Sequence, residues 1–274
     1  LITPLLPLID PDETDLAVRL ETPFNAKHWL GTDELGRDLL SRLLWGTRVS
    51  LAVGFAATFA AALIGSTIGL VSGYFGGRID SLLMRLIDTI WAFPYLLLAL
   101  AIVAAFGPGL LNALMAIAIV NIPFFARTVR GTTITLTNRE FVMAARTSGA
   151  GHLDILFREL LPNVLPVIVV TISTTAGWMI LETAGLSFLG LGAQPPTADL
   201  GSMLGEGRKV LFTAPHVSTI PGVLILILVI SLNLFGDGIR DILDPRLRGG
   251  AIRSPKAFTE VEHVEPVNQS ADSE

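Results

Sequence analysis

Residues 137–163 read TNREFVMAARTSGAGHLDILFRELLPN and separate two long apolar segments. Thr137 and Glu140 have the Thr-x-x-Glu spacing of a capping box, which predicts that a helix begins there. Glycine is unfavourable inside a helix and common at its end, so Gly149 and Gly151 predict a break. The stretch is therefore expected to form two short helices that are bent at glycine.

Each short helix is predicted to carry one apolar face. In the first helix the residues spaced three and four apart are small and mostly apolar: Phe141, Ala144, Ala145 and Ser148. In the second helix the corresponding face is Leu153, Leu156, Phe157 and Leu160. Asp154 and Arg158 form an i,i+4 pair on another side, and Pro162 predicts the end of the unit. The pattern indicates a compact knob shaped to fit a groove on a partner.

The knob resembles the coupling loop, or "EAA" motif, of ABC-importer permeases, in which Glu-Ala-Ala-x-x-x-Gly is followed further on by an aliphatic residue and Leu-Pro. The matching residues are Ala144, Ala145, Gly149, Leu161 and Pro162. The glutamate position of the motif holds Met143, and Glu140 lies one turn earlier. The resemblance implies that these residues, with Glu140, dock onto a cytoplasmic ATPase. The alternative is a loop that merely joins two spans.

The composition is that of a membrane protein. Hydrophobic residues make up 51% of the 274 residues and charged residues 16%, whereas soluble domains carry about 25% charged residues. The net charge of −5 leaves nothing basic enough for nucleic-acid binding. Cysteine is absent, which excludes disulfides, zinc–thiolate sites and thiol nucleophiles.

Five apolar segments are long enough to be candidate spans, which predicts an all-α polytopic membrane protein. They cover about residues 50–73, 90–106, 111–125, 164–184 and 219–234. Small residues recur every four positions along the first: Ala57, Ala61, Gly65, Gly69 and Gly73. Such a stripe lets another helix approach closely, so it predicts a helix-packing face.

The segment before the first span is predicted to hold an amphipathic helix that lies on the membrane surface. Thr32 is the expected N-cap. An apolar stripe of Leu35, Leu39, Leu40, Leu43 and Leu44 lies opposite Arg37, Asp38 and Arg42. The run LGTDELGRDLLSR at 30–42 also resembles the dipeptide/oligopeptide/nickel branch of ABC-importer permeases, as do GLSFLGLGAQPP at 185–196, DGIRD at 237–241 and the Asp-Pro pair at 244–245.

Most Lys and Arg residues fall on one predicted side of the membrane, and the positive-inside tendency makes that side cytoplasmic. The expected organisation is an extracytoplasmic segment at 1–48, a transmembrane domain at 49–240 and a cytoplasmic tail at 241–274, disordered from about 254. Within the domain, 137–163 forms the cytoplasmic coupling loop and 185–216 an extracytoplasmic loop. Five spans would place the N-terminus on the outer side of the membrane. This placement implies a sixth span before residue 1, and so does the resemblance.

No catalytic motif is evident. None of the three lysines stands in the Gly-Lys-Ser/Thr context of a phosphate-binding loop, so ATP hydrolysis in this chain is not expected. Ser148 and His152 lie four residues apart and leave an intramembrane hydrolase as an alternative, although glycines break the helix between them. Glu182 is the one carboxylate within a predicted span. A buried membrane carboxylate suggests a substrate path or gate, whereas its place near the outer end of the span favours the membrane interface.

The resemblance implies a type I ABC-importer permease fold, with a paralogous permease subunit, two ABC ATPase subunits and an extracytoplasmic substrate-binding protein as partners. ATP and Mg²⁺ would be bound by the ATPase subunits, with no cofactor in this chain. The location would be a bacterial or archaeal cytoplasmic membrane. The cargo would be peptides, with nickel chelates, glutathione and opine-like solutes as alternative cargoes. An ion-coupled secondary transporter is the other alternative and would need ionisable residues within the spans.

Overall fold

The computed structural model describes residues 3–243, and within that range the chain is all-helical with no β-strand. Four helices are long and apolar enough to span a membrane, and a bent pair supplies a fifth candidate span. The α-helices are α1 Leu39–Phe75, α2 Gly77–Trp91, α3 Tyr95–Phe106, α4 Leu110–Thr137, α5 Glu140–Thr147, α6 His152–Asp154, α7 Leu161–Phe188, α8 Leu200–Gly207 and α9 His216–Leu243. A π-helical turn, Ile155–Leu160, joins α6 to α7.

The small-residue stripe of α1 faces α4. Ala61 is fully buried, and a Cβ atom on Gly65 would lie 2.6 Å from the carbonyl oxygen of Ile122. The next two glycines of the stripe meet α4 progressively later along its sequence: Gly69 meets Ala126 and Arg130, and Gly73 meets Arg130 and Thr133. The two helices therefore run in the same direction at a separation that only glycine permits.

Residues between the first two predicted spans form helix α2. Its two aspartates bind α4: Arg130 donates to both oxygens of Asp80 at 2.6 and 2.5 Å, and Arg127 donates to Asp88 at 2.6 Å. The chain bends by 87° between α2 and α3. Pro94, which lacks an amide hydrogen, precedes the first residue of α3.

The predicted surface helix before the first span is also wrong. Helix α1 begins only at Leu39, where the Asp38 carboxylate accepts from the Ser41 amide, and continues unbroken to Phe75. The charges of the preceding run are buried rather than solvated, and Arg37 reaches Asp33 at 2.6 Å and Glu206 at 2.8 Å. The apolar stripe faces protein instead of lipid: Leu39 and Leu43 pack with residues of α8 and α9.

The extracytoplasmic loop predicted at 185–216 contains a structured cap. Helix α7 extends to Phe188, and α8 follows after a turn. Asp199 caps α8 by accepting from the Gly201 and Ser202 amides at 3.1 Å, and it also accepts from the Ser50 hydroxyl of α1 at 2.6 Å. The cap is therefore joined to the first span. The Asp-Pro pair at 244–245 and the predicted tail beyond it lie outside the described residues.

Candidate coupling surface and membrane cavity

The polar stretch at 137–163 folds differently from the prediction at both of its ends. Thr137 is the last residue of α4, where its hydroxyl donates to the Thr133 carbonyl; it does not cap α5, which begins at Glu140 without a side-chain cap. Pro162 does not end the second helix either. It occupies the first turn of α7, directly after the π-helical turn, where a proline without an amide hydrogen is tolerated.

Between these ends the stretch forms a knob with two surfaces. Val142, Ile155 and Leu160 are at most 1% exposed and pack with residues of α1, α4 and α7. The apolar face predicted for the first helix is wrong, because it is exposed apart from the half-buried Ala145 and the buried residue is Val142. The face predicted for the second helix is divided between core and surface. The large apolar side chains that point outward are Phe141, Met143, Leu153 and Phe157, with 36–70% of their area exposed. We call these four residues the coupling surface.

The motif residues occupy both sides of the knob. Ala145 and Leu161 are half-buried and pack against the same apolar cluster beneath it. Glu140, Ala144 and Pro162 are exposed. Gly149 is exposed with φ +80°, and no atom lies within 4 Å of the position that its Cβ would take. The structure thus brings Ala145 and Leu161 together and uses Gly149 as a left-handed turn.

The knob is joined to α1 by a contact that no sequence spacing predicts. The Tyr74 hydroxyl lies 2.8 Å from Nδ1 of His152, and the Arg146 guanidinium lies 5.4 Å from the centre of the Tyr74 ring. His152 is thereby engaged with Tyr74, while the Ser148 hydroxyl donates to the Ala144 carbonyl. Neither side chain is arranged as a nucleophile and base towards the other, which argues against the hydrolase alternative.

A cavity of about 620 Å³ lies between the α2–α3 bend, α4 and α7. Its lining is mainly apolar and includes five aromatic residues, Trp91, Phe93, Tyr95, Phe124 and Trp178. The polar residues of the lining include Asn121 and Glu182. Pockets of this size that combine apolar walls with a few polar groups are typical of small-molecule sites. The cavity is therefore the candidate passage for a solute.

Glu182 lies at the wall of this cavity. The residue is 8% exposed. Its Oε1 accepts from Nε1 of Trp178 at 2.6 Å, and its Oε2 accepts from Nδ2 of Asn121 at 2.7 Å. Asn121 belongs to α4, so the carboxylate of α7 joins the two helices. The i,i+4 spacing of Trp178 and Glu182 is enough to predict their contact. No pattern in the sequence predicts that Asn121 contacts Glu182.

Comparison with known families decides the identity of this architecture. Residues 65–249 match the family described as binding-protein-dependent transport system inner membrane component. The chain belongs to this family. This permease is a multi-pass membrane protein, and its relatives are transport subunits rather than enzymes.

Two curated proteins illustrate how similar the permease is to its relatives. The dipeptide transport system permease protein DppC of Alkalihalophilus pseudofirmus is 46% identical over 248 residues, which is 90% of this chain and 81% of that protein. The glutathione transport system permease protein GsiD of Pectobacterium atrosepticum is 47% identical over 230 residues, or 84% of this chain and 76% of that protein. The permease is thus a subunit of an ABC importer.

Solved structures agree on the fold. The permease resembles a chain of the methionine ABC transporter MetNI in an inward-facing conformation, with a TM-score of 0.62, 22% identity and coverage of 75% of this chain and 98% of that chain. It also resembles an amino acid ABC transporter, with a TM-score of 0.57, 18% identity and coverage of 74% and 94%. The predicted ABC-importer permease fold is confirmed.

Proposed function

We propose that this chain forms half of the translocation pathway of an ATP-driven importer of small peptides. Its two curated relatives are named for dipeptides and for glutathione, which is itself a small peptide. The cavity of about 620 Å³ beside Glu182 is a compatible size for such a solute. The second half of the pathway comes from a paralogous permease, and an extracytoplasmic binding protein delivers the peptide.

The observation that carries the coupling role is the exposed apolar coupling surface on a knob that is otherwise firmly packed. Phe141, Met143, Leu153 and Phe157 are large apolar side chains exposed on the knob, and exposed apolar area supports an interaction site. Two cytoplasmic ABC ATPase subunits, which bind ATP and Mg²⁺, are the proposed partners, in a bacterial or archaeal cytoplasmic membrane. One ATPase subunit docks on this knob.

A continuous helical path leads from the knob to the cavity. Residues His152–Phe188 form one uninterrupted helical segment that begins in the knob and carries Glu182 near its other end. ATPase closure that displaces the knob therefore moves the cavity wall as part of the same segment. Rigid-body rocking of spans around a site near the midplane is how many transporters alternate access.

Co-purification tests the docking role. The tagged chain is isolated from mild detergent, and the proteins that accompany it are identified by mass spectrometry. We expect a second permease and Walker-type ATPases. The variant Leu153→Ser/Phe157→Ser should lose the ATPases and keep the second permease, because it alters only the coupling surface.

The matched control is Ser148→Ala, an exposed change on the same knob whose hydroxyl bonds only its own helix. It should retain every partner and full peptide uptake. If the chain purifies alone and still moves solute on an ion gradient, the ABC-importer proposal is wrong.

A further inference from the structure

Within the described residues 3–243, Glu182 is a buried carboxylate whose hydrogen-bond partners are both uncharged. Residues 3–243 bury three others: Asp33 pairs with an arginine at 2.6 Å, while Asp38 and Asp199 cap the first amides of α1 and α8. No Lys, Arg or His of that range lies within 4.0 Å of the Glu182 carboxylate. A buried charge without a cation is costly and, in a membrane span, marks a functional site.

The Glu182 carboxylate is held in position and retains acceptor capacity. Trp178 and Asn121 donate one hydrogen bond to each oxygen. An ionised carboxylate has about four acceptor positions, so these two bonds fix its orientation and leave room for a ligand that donates. Because the residue lies at the cavity wall, such a ligand can approach from the cavity.

The walls around this carboxylate are aromatic and suit a cation. The ring centres of Tyr95 and Trp178 lie 6.5 Å apart, each residue is about half exposed, and both line the cavity. At another part of the same lining, the Arg127 guanidinium already stacks over Trp91 at 4.3 Å. The faces of aromatic rings attract cations and do not attract anions. The carboxylate and the rings therefore both favour a positively charged ligand.

From this arrangement we infer that Glu182, with Trp178 and Tyr95, binds the ammonium group of the translocated solute. An ammonium group supplies both the missing counter-charge and the N–H donors that the free acceptor positions require. The inference rests on the proposed function, since every small peptide with a free amino end carries this group. It names the chemical feature by which the permease itself, and not only a binding protein, recognises its cargo.

Binding to the purified transporter tests the inference without the binding protein. The probes are radiolabelled dialanine and N-acetyl-dialanine, which differ in whether the amino end is charged. Wild-type complex, assembled with its partner subunits, should bind dialanine about tenfold more tightly or better, the effect of one hydrogen bond to a charged group. Glu182→Gln, which keeps the side-chain shape, should abolish this difference.

The control variant is Glu34→Gln, which alters a carboxylate of the extracytoplasmic segment and should preserve the wild-type preference. The inference would be overturned if Glu182→Gln still preferred dialanine to N-acetyl-dialanine. It would also be overturned if the wild type bound the two probes equally or bound neither. Cellular dialanine uptake that depends on this chain is measured in parallel. Uptake without the predicted preference would reject the inference alone, whereas absence of uptake would reject the peptide proposal itself.

Discussion

The Tyr74 hydroxyl and Nδ1 of His152 lie 2.8 Å apart although 78 residues separate them in the chain. Tyr74 is buried near the end of α1, and His152 begins the helical segment that runs to Phe188. The hydrogen bond therefore joins two spans at the base of the knob. Arg146 stacks on the same tyrosine ring and ties α5 into the junction. We therefore expect a displacement of the knob to move α1 as well as α7.

Removing this junction should uncouple ATP hydrolysis from transport. Tyr74→Phe deletes only the hydroxyl, and a hydrogen bond of this kind contributes about 1 kcal/mol. We expect about fivefold fewer peptides moved per ATP hydrolysed in proteoliposomes, with assembly unchanged. Thr67→Val is the matched control, because its hydroxyl bonds only its own helix. A normal ratio of peptide to ATP in Tyr74→Phe would show that the junction does not transmit motion.

Gly149 should be replaceable only by a residue whose backbone readily adopts a positive φ. Gly149→Val places a β-branched residue at φ +80°, at a cost of about 1–2 kcal/mol, whereas Gly149→Asn enters the same conformation readily. No atom lies within 4 Å of the Cβ position, so both variants should insert and fold. Uptake should be strongly reduced for valine and largely kept for asparagine. Equal uptake by the two variants would mean that the turn geometry is unimportant for coupling.

The α1–α4 contact should be intolerant of a single methyl group. Gly69→Ala pushes a Cβ into the Ala126 carbonyl and to 2.9 Å from the Arg130 amide. Overpacking of this kind costs about 1–3 kcal/mol, which should lower the melting temperature of the purified complex. Gly131→Ala is the control, since no atom lies within 4 Å of its Cβ position. Its helix propensity should improve by up to about 1 kcal/mol. Equal melting temperatures of the two variants would show that Gly69 is not part of a close contact between α1 and α4.

The buried ion cluster around Arg42 should contribute to stability. Arg42 is 1% exposed and lies 3.5 Å from Asp33 and 3.6 Å from Glu206. Arg42→Met leaves Arg37 as the remaining arginine beside these carboxylates, at 2.6 and 2.8 Å, so we expect a loss of about 1–3 kcal/mol. Arg19→Met, on an exposed side chain, should leave the melting temperature unchanged. Thermal denaturation of both variants is measured in the same detergent. A melting temperature of Arg42→Met close to that of the wild type would show that Arg42 does not stabilise this cluster.

Local sequence patterns predicted the features that depend on near neighbours. The small-residue stripe of α1, the break at Gly149 and the Asp154–Arg158 pair, which forms at 3.3 Å, all arise from spacings within two or three turns. The same local rules failed where distant residues compete. Thr137 bonds the helix behind it instead of capping the one ahead, and Pro162 is accommodated by a π-helical turn.

The sequence by itself determined an all-helical membrane protein with a knob between its spans, because apolar length, glycine breaks and charge asymmetry are properties of short segments. Only the tertiary structure decided where the charges lie. It buried Arg37 and Arg42 beside Glu206, and it set Glu182 against Asn121 at a cavity wall. Whether a charged side chain meets water, lipid or a counter-charge depends on which helix packs against it, and that information is absent from the segment that carries it.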